Sequence, residues 1–250
     1  MNTQSHRRAI VVAAIFLVFL VIGYVYVFDP GEYERQLPVG INDFRDKNSY
    51  RIDAETILNS IDQGELEVFT SKAVNQQTLP DKTASWGQED FIKVARALNQ
   101  FVWEEPLSGW RLYSMHFSLD CKDNPTGFSE ADFYYFKPTF RENGKIRYTT
   151  QNFFISPEYG EVIWAGGSTF PHPLIGWENI RLRQVQITAE DALAIAEMNG
   201  GKETRQLADN KCKIHVGLDG DKTWQILIYQ NDTGSSLFRM AIDSESGNIE

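Results

Sequence analysis

Apolar residues form one long run near the N-terminus, and shorter periodic patterns fill the rest of the chain. Residues 9–28 carry no charged side chain, and a helix of about twenty apolar residues spans the roughly 30 Å hydrocarbon core of a bilayer. Arg7 and Arg8 precede this run, whereas the first charged residues after it are acidic. Since basic residues favour the cytoplasmic side, we expect a cytoplasmic tail at residues 1–8 and a single-pass signal-anchor helix that places the C-terminal part outside the cytoplasm.

A cleaved signal peptide is the alternative interpretation of the same run. The apolar region of a signal peptide is normally about 7 to 15 residues long and ends in small residues. The run here is longer and ends in Tyr24, Tyr26 and Phe28, which are typical of the membrane–water interface. The pattern therefore favours an uncleaved anchor, with residues 29–49 as a polar stalk.

Helical and strand patterns then follow one another in the first half of the exterior part. Helical spacing predicts helices at residues 54–62 and 86–103. Alternation of apolar and polar residues predicts strands at residues 110–119, 131–137 and 146–155. In the first strand, Tyr113, Met115, Phe117 and Leu119 are the expected buried positions. These elements predict a first α+β unit over residues 50–169.

The same order of elements returns after a proline-rich linker at residues 170–186. Thr188 is the expected N-cap of a helix at residues 189–199, which Gly200 and Gly201 should end. Strands are predicted at residues 212–218, 223–230 and 236–243, and the second unit covers residues 187–250. The expected fold is α+β, with an N-terminal transmembrane helix followed by two tandem units of one helix and an antiparallel three-strand meander.

Two short segments at the ends of the predicted meanders support the tandem arrangement. Residues 155–162 and 242–249 share a strand end, an acidic turn residue, a glycine and a return to a β-branched residue. Such a turn requires a positive φ, which we expect Gly160 and Gly247 to supply.

The second unit resembles the PepSY and PepSY-like family of small extracytoplasmic modules. The resemblance rests on the segments at residues 187–193, 224–229 and 241–249, and residues 52–58 echo the first of them. It implies a noncatalytic module that restrains peptidases or binds partner proteins outside the membrane. The family supplies no catalytic residues to carry over.

The charge of the chain limits the kinds of partner. There are 34 acidic against 24 basic residues, which gives a net charge of −10. A negative surface repels phosphate groups, so the composition argues against binding to nucleic acid and to anionic headgroups. We therefore expect a protein or peptide partner, with the bilayer contacted only through residues 9–28.

Cys121 and Cys212 are the only cysteines, and the predicted compartment is one in which disulfides persist. A bridge between them and two separate thiols are both compatible with the sequence. His116 and His215 lie at polar positions of their strands, but the short ligand pairs of zinc sites are absent. The sequence therefore predicts no metal or cofactor.

No constellation of residues indicates catalysis. The chain lacks a Gly-x-Ser-x-Gly motif and a phosphate-binding glycine loop, and the turn carboxylates Glu104, Glu105, Asp219 and Asp221 are typical of solvated loops. We expect a membrane-anchored, extracytoplasmic binding or regulatory protein rather than an enzyme. The alternatives are an envelope hydrolase that uses turn carboxylates and a structural subunit of a membrane complex.

Overall fold

The computed structural model describes the protein over residues 49–51, 54–64, 86–103, 109–121, 125–140, 146–157, 161–165, 169–170, 179–220 and 222–250. Its α-helices are α1 (Ala54–Asp62), α2 (Gln88–Trp103), α3 (Ala189–Ala196) and α4 (Lys202–Leu207). A π-helical turn at Glu197–Gly201 joins α3 to α4.

Nine strands in these residues form one antiparallel sheet. They are β1 (Ser49–Arg51), β2 (Arg111–Asp120), β3 (Glu130–Phe140), β4 (Ile146–Ser156), β5 (Glu161–Ala165), β6 (Thr169–Phe170), β7 (Cys212–Asp219), β8 (Thr223–Gln230) and β9 (Ser236–Asp243). Their order across the sheet is β1-β5-β4-β3-β2-β7-β8-β9, and β6 pairs with β4. The six long strands are β2 to β4 and β7 to β9, while the short strands lie beside β4 and β5.

The prediction of two tandem α+β units is wrong. The first strands of the two meanders pair with each other, so that Ser114–Asp120 of β2 lies opposite Lys213–Asp219 of β7. The expectation treated each three-strand meander as complete, but the outer edge of each first strand still carries unpaired backbone groups. Pairing these two edges satisfies both and produces a single sheet. The short segments that suggested a repeat do not form separate units.

One hydrophobic core serves both halves of the chain. Phe91 of α2 packs against Phe117 of β2 with ring centroids 5.8 Å apart, and Phe117 lies 6.3 Å from Trp224 of β8. Ala192 and Leu193 of α3 belong to the same buried cluster. Because apolar residues of α2 and α3 recur at helical spacing, each helix turns one face towards the sheet. All of these buried groups lie on one face of the sheet, which we call the core face.

Gly200 and Gly201 do not end the second helical segment, contrary to expectation. Gly200 has a φ of +107°, and the chain passes through the π-helical turn and continues into α4. The buried Arg205 of α4 reaches back to Glu197, with Nε 2.9 Å from Oε1, and its Nη1 donates to Asn210. The charge pair therefore holds the helical path together across the glycines, which local sequence rules could not indicate.

Several predicted features lie where the structure gives no description. They include the proposed membrane helix at residues 9–28, the stalk at 29–48 and most of the linker, at 171–178. Among the helices that are described, none has the length and apolar character needed to cross a membrane.

Candidate functional site

The second face of the sheet carries polar and aromatic side chains instead of a buried core. We call it the open face, because the buried side chains that the structure describes in α2 and α3 belong to the core on the other side. Its central part is formed by β3, β2 and β7, which are neighbours in the sheet. Alternation along each strand places Asp132 and Tyr134, His116 and Ser118, and His215 and Asp219 there.

Five aromatic rings form a continuous row across the open face, which we call the ring stripe. It runs through Phe136, Tyr113, Tyr134, His116 and His215. Successive ring centroids are 5.8, 6.1, 5.6 and 4.8 Å apart. These separations are those of interacting aromatic pairs. Phe136 is 3% exposed and forms the buried end of the stripe, whereas the other four rings are partly exposed and have polar groups on both sides.

A β-bulge explains why Tyr113 belongs to this stripe. The register of β2 against β3 shifts between Leu112 and Ser114. Sequence alternation predicted a buried Tyr113 on the core face, but Leu112 takes that position and is 8% exposed. Because the bulge inserts one extra residue, the side chains of Tyr113 and Ser114 both lie on the open face. Burial then raises the pKa of Tyr113 to about 12, with smaller contributions from Tyr134 and Asp219.

Ser114, His116 and Asp219 form a closed hydrogen-bonded trio beside the stripe. The Ser114 hydroxyl donates to Asp219 Oδ1 over 2.5 Å, and His116 Nε2 lies 2.8 Å from the same oxygen and 2.9 Å from Ser114 Oγ. The hydrogen bond from His116 is the main reason why the pKa of Asp219 lies below its ordinary value. Asp219 is therefore an anion at neutral pH and accepts from both neighbours.

This trio does not have the geometry of a nucleophilic relay. In such a relay the imidazole contacts serine through one nitrogen and the carboxylate through the other. Here both contacts converge on Nε2 of His116, which must carry a hydrogen to donate to an ionised Asp219. That nitrogen cannot also accept the proton of Ser114. The trio fixes the orientation of the His116 ring.

Gly217 makes room for the two histidines. It lies directly opposite His116 in the register of β2 and β7. A Cβ at Gly217 would be 2.8 Å from Cδ2 of His116 and 3.1 Å from Nε2 of His215. The absence of a side chain at this position allows the two rings to meet above the backbone.

Burial and neighbouring charges shift two further groups on the open face. Burial raises the pKa of Asp132 to about 6, although the charge of His116 partly opposes this change. Burial also lowers the pKa of His215 to about 4, and the charge of His116 adds to the effect. At neutral pH Asp132 is thus an anion and His215 a neutral ring. The Ser118 hydroxyl lies 3.3 Å from Nδ1 of His215.

An ion pair lies at one end of the open face. Lys213 of β7 reaches across β2 to form a salt bridge with Glu130 of β3. Burial lowers the pKa of Lys213, but the hydrogen bond and charge of Glu130 outweigh it, so that the pKa is raised overall. The pair links the two strands on either side of β2.

The structure contains the disulfide that the sequence left open. Cys121 and Cys212 are bonded, with Cα atoms 5.2 Å apart, at the end of the β2–β7 pair. Their sulfurs are therefore not available as metal ligands beside His116 and His215. No group of three histidine, cysteine or carboxylate residues in the described ranges is arranged to hold a metal ion.

The other predicted site residues fall into two groups. His116 and His215 occupy polar strand faces, as predicted, and the sheet brings them together. Arg7 and Arg8, which set the predicted membrane orientation, lie outside the described residues, as do the turn carboxylates Glu104, Glu105 and Asp221. Asp132 and Tyr134 were not singled out from the sequence, although their alternation with buried neighbours in β3 was a signal that could have placed them on one face.

Comparison with known proteins gives neither a matching family model nor a matching curated sequence. The resemblance of residues 187–250 to PepSY-like modules stays a prediction from the residues.

Proposed function

We propose that this chain is an extracytoplasmic binding module that holds a protein or peptide partner on the ring stripe of its open face. The observation that carries the proposal is the row of five rings from Phe136 to His215, flanked by the carboxylates of Asp132 and Asp219. Tyrosine and other aromatic side chains dominate the binding energy of protein interfaces, because they offer large contact areas with little loss of conformational entropy.

The chemistry of the open face suits recognition of a partner. The rings supply apolar contact area, while Ser118, His215 and Asp132 supply hydrogen-bonding groups at fixed positions. Asp219 has a side chain that is 65% exposed, whereas that of His116 is 24% exposed. A rigid strand scaffold holds these groups, which lowers the entropy lost on binding.

Two features support a location outside the cytoplasm. The disulfide between Cys121 and Cys212 is typical of oxidising compartments. The charge distribution around residues 9–28 predicts the same side of the membrane for the exterior part. We therefore place the binding face in the cell envelope, with residues 9–28 as the predicted attachment.

Photocrosslinking in cells that make the full chain tests this function. A benzophenone amino acid replaces Tyr134 on the open face, and in a control it replaces the exposed Lys202 of α4. We expect a discrete crosslinked protein or peptide from position 134 that is absent from position 202. Equal crosslinking from both positions, or none from position 134 when the chain is folded and oxidised, would refute a binding role for this face.

A further inference from the structure

One end of the ring stripe already holds a cation. The guanidinium carbon of Arg111 lies 5.8 Å from the centroid of the Phe136 ring. Aromatic rings attract cations within about 6 Å of their centroids, and arginine is the commonest partner. The stripe is therefore compatible with a guanidinium or ammonium group at its surface.

Tyr134, farther along the stripe, combines a ring with two nearby carboxylates. Asp132 is two residues from Tyr134 along β3, and Asp219 of β7 lies opposite Ser114, which in turn lies opposite Tyr134. Burial raises the pKa of Tyr134, and the charges of these two carboxylates add to the increase. Asp132 lies directly opposite His116 in the register, next to Tyr134 on the same face of β3. A cation above Tyr134 would meet negative charge on both sides.

Asp132 also lacks a hydrogen-bonding partner among the residues that the structure describes. Its half-buried carboxylate carries a desolvation cost that the charges of His116 and Lys213 offset only in part, and burial is accordingly the main cause of its raised pKa. The nearby ammonium of Lys213 is already engaged by Glu130. A charged donor from outside would therefore satisfy Asp132, as charge-assisted hydrogen bonds do for other carboxylates.

We propose that the partner places an arginine or lysine side chain over the Tyr134 ring, with Asp132 as its counter-ion. This inference rests on the proposed function, since it names the group by which the partner is recognised. The net charge of −10 complements a basic partner, and steering by that charge accelerates encounter. Arginine fits best, because its planar fork both stacks on a ring and donates in parallel to a carboxylate.

Fluorescence anisotropy with the full chain tests the proposal directly. The probe is a labelled short peptide with two arginines, and its matched control carries citrulline, which keeps the shape of arginine without the charge. We expect the arginine peptide to bind and Asp132→Asn to weaken it by about tenfold, as loss of a charge-assisted contact would. Tyr134→Leu should weaken binding, whereas Tyr134→Phe, which retains the ring, should change it by less than about threefold.

Asp232→Asn is the matched control, because it removes one negative charge from an exposed turn away from the open face. Measurements at about 0.15 M salt screen long-range attraction, so Asp232→Asn should leave the dissociation constant within about twofold. If Asp132→Asn and Asp232→Asn weaken binding equally, or the citrulline peptide binds as tightly as the arginine peptide, the cation site does not exist. Melting temperatures of the variants that are no lower than that of the parent exclude misfolding as the cause.

The crosslinking experiment separates this inference from the proposed function. A partner that crosslinks at position 134 in both the parent chain and Asp132→Asn, with equal yield, would leave the binding face in place and overturn the cation site. Loss of the crosslink in Asp132→Asn but not in Asp232→Asn would support both.

Discussion

Gln88 and Glu190 cap each other's helices. Oε1 of Glu190 accepts from the backbone N–H of Gln88 over 2.6 Å, and Oε1 of Gln88 accepts from the backbone N–H of Ala189 over 2.8 Å. The first N–H groups of a helix have no partner within it, so each residue satisfies a donor of the other helix. This exchange fastens α2 to α3 across the two halves of the chain and is a second reason why they do not form separate units.

Removing this capping should destabilise the fold by a predictable amount. Glu190→Ala leaves the N–H of Gln88 without its acceptor, and we expect a loss of about 1 to 2 kcal/mol in the free energy of unfolding. Glu190→Gln retains an acceptor oxygen and should lose less than half as much. Urea denaturation followed by circular dichroism measures both values. If the two substitutions had the same effect, the charge of Glu190 rather than its position as a cap would be responsible.

The disulfide should make the folded part of the chain unfold as one body. It closes a loop with a sequence separation of 91, and the chain-entropy model assigns such a loop about 4 to 5 kcal/mol of stabilisation. We expect one calorimetric transition for the oxidised protein, and reduction or Cys121→Ser should lower its midpoint by roughly 10 °C. Two separate transitions in the oxidised protein would contradict the shared core of α2, α3 and the sheet.

The local elements were predictable because their signals are local. The bounds of α1, β8 and β9 agree with the expectation, and Thr188 caps α3 through a capping box with Asp191. Gly247 has the positive φ, +74°, that its turn was expected to require. Periodicity, capping chemistry and turn chemistry each involve only a few neighbouring residues, so one sequence is sufficient to show them.

The arrangement of the site was not predictable, because it depends on pairing between distant strands. The polar positions of His116 and His215 follow from alternation, but the 4.8 Å between their rings follows from the register of β2 against β7. A bulge moved Tyr113 to the open face, and one inserted residue leaves little trace in an alternating pattern. The pKa of Asp132 likewise depends on burial in the sheet and on the charges of His116 and Lys213, which lie on other strands.

Arg205 should be among the side chains most critical for stability. It is 1% exposed and binds Glu197 and Asn210 across the π-helical turn. Arg205→Ala leaves the carboxylate of Glu197 without its buried partner, and we expect a loss of about 3 to 5 kcal/mol. Lys211→Ala is the control, since it breaks an exposed pair with Asp209 and should cost less than about 1 kcal/mol. Chemical denaturation of both variants measures the difference, and similar losses would contradict the role of the buried pair.

Asp132 and His215 should give opposite pH dependences of stability in the same range. The pKa of Asp132 is raised from 3.8 to about 6 in the folded state, so the folded state binds more protons between these values and stability falls as pH rises through them. The pKa of His215 is lowered from 6.5 to about 4. Between these two values the unfolded state binds more protons at His215 than the folded state does, so this contribution to stability rises with pH over nearly the same interval.

The two contributions should largely cancel in the parent protein, and single substitutions should reveal them. In Asp132→Asn the remaining histidine contribution should make stability rise with pH from about 4 to 6.5, more steeply than in the parent. In His215→Gln the contribution of Asp132 remains, so stability should fall with rising pH over the same range relative to the parent. Urea midpoints measured at half-unit intervals of pH test both slopes, with Asp232→Asn as the control of equal charge change. A slope for Asp132→Asn that equals the control's would show that Asp132 titrates near its ordinary value and is not held in a desolvated position beside the ring stripe.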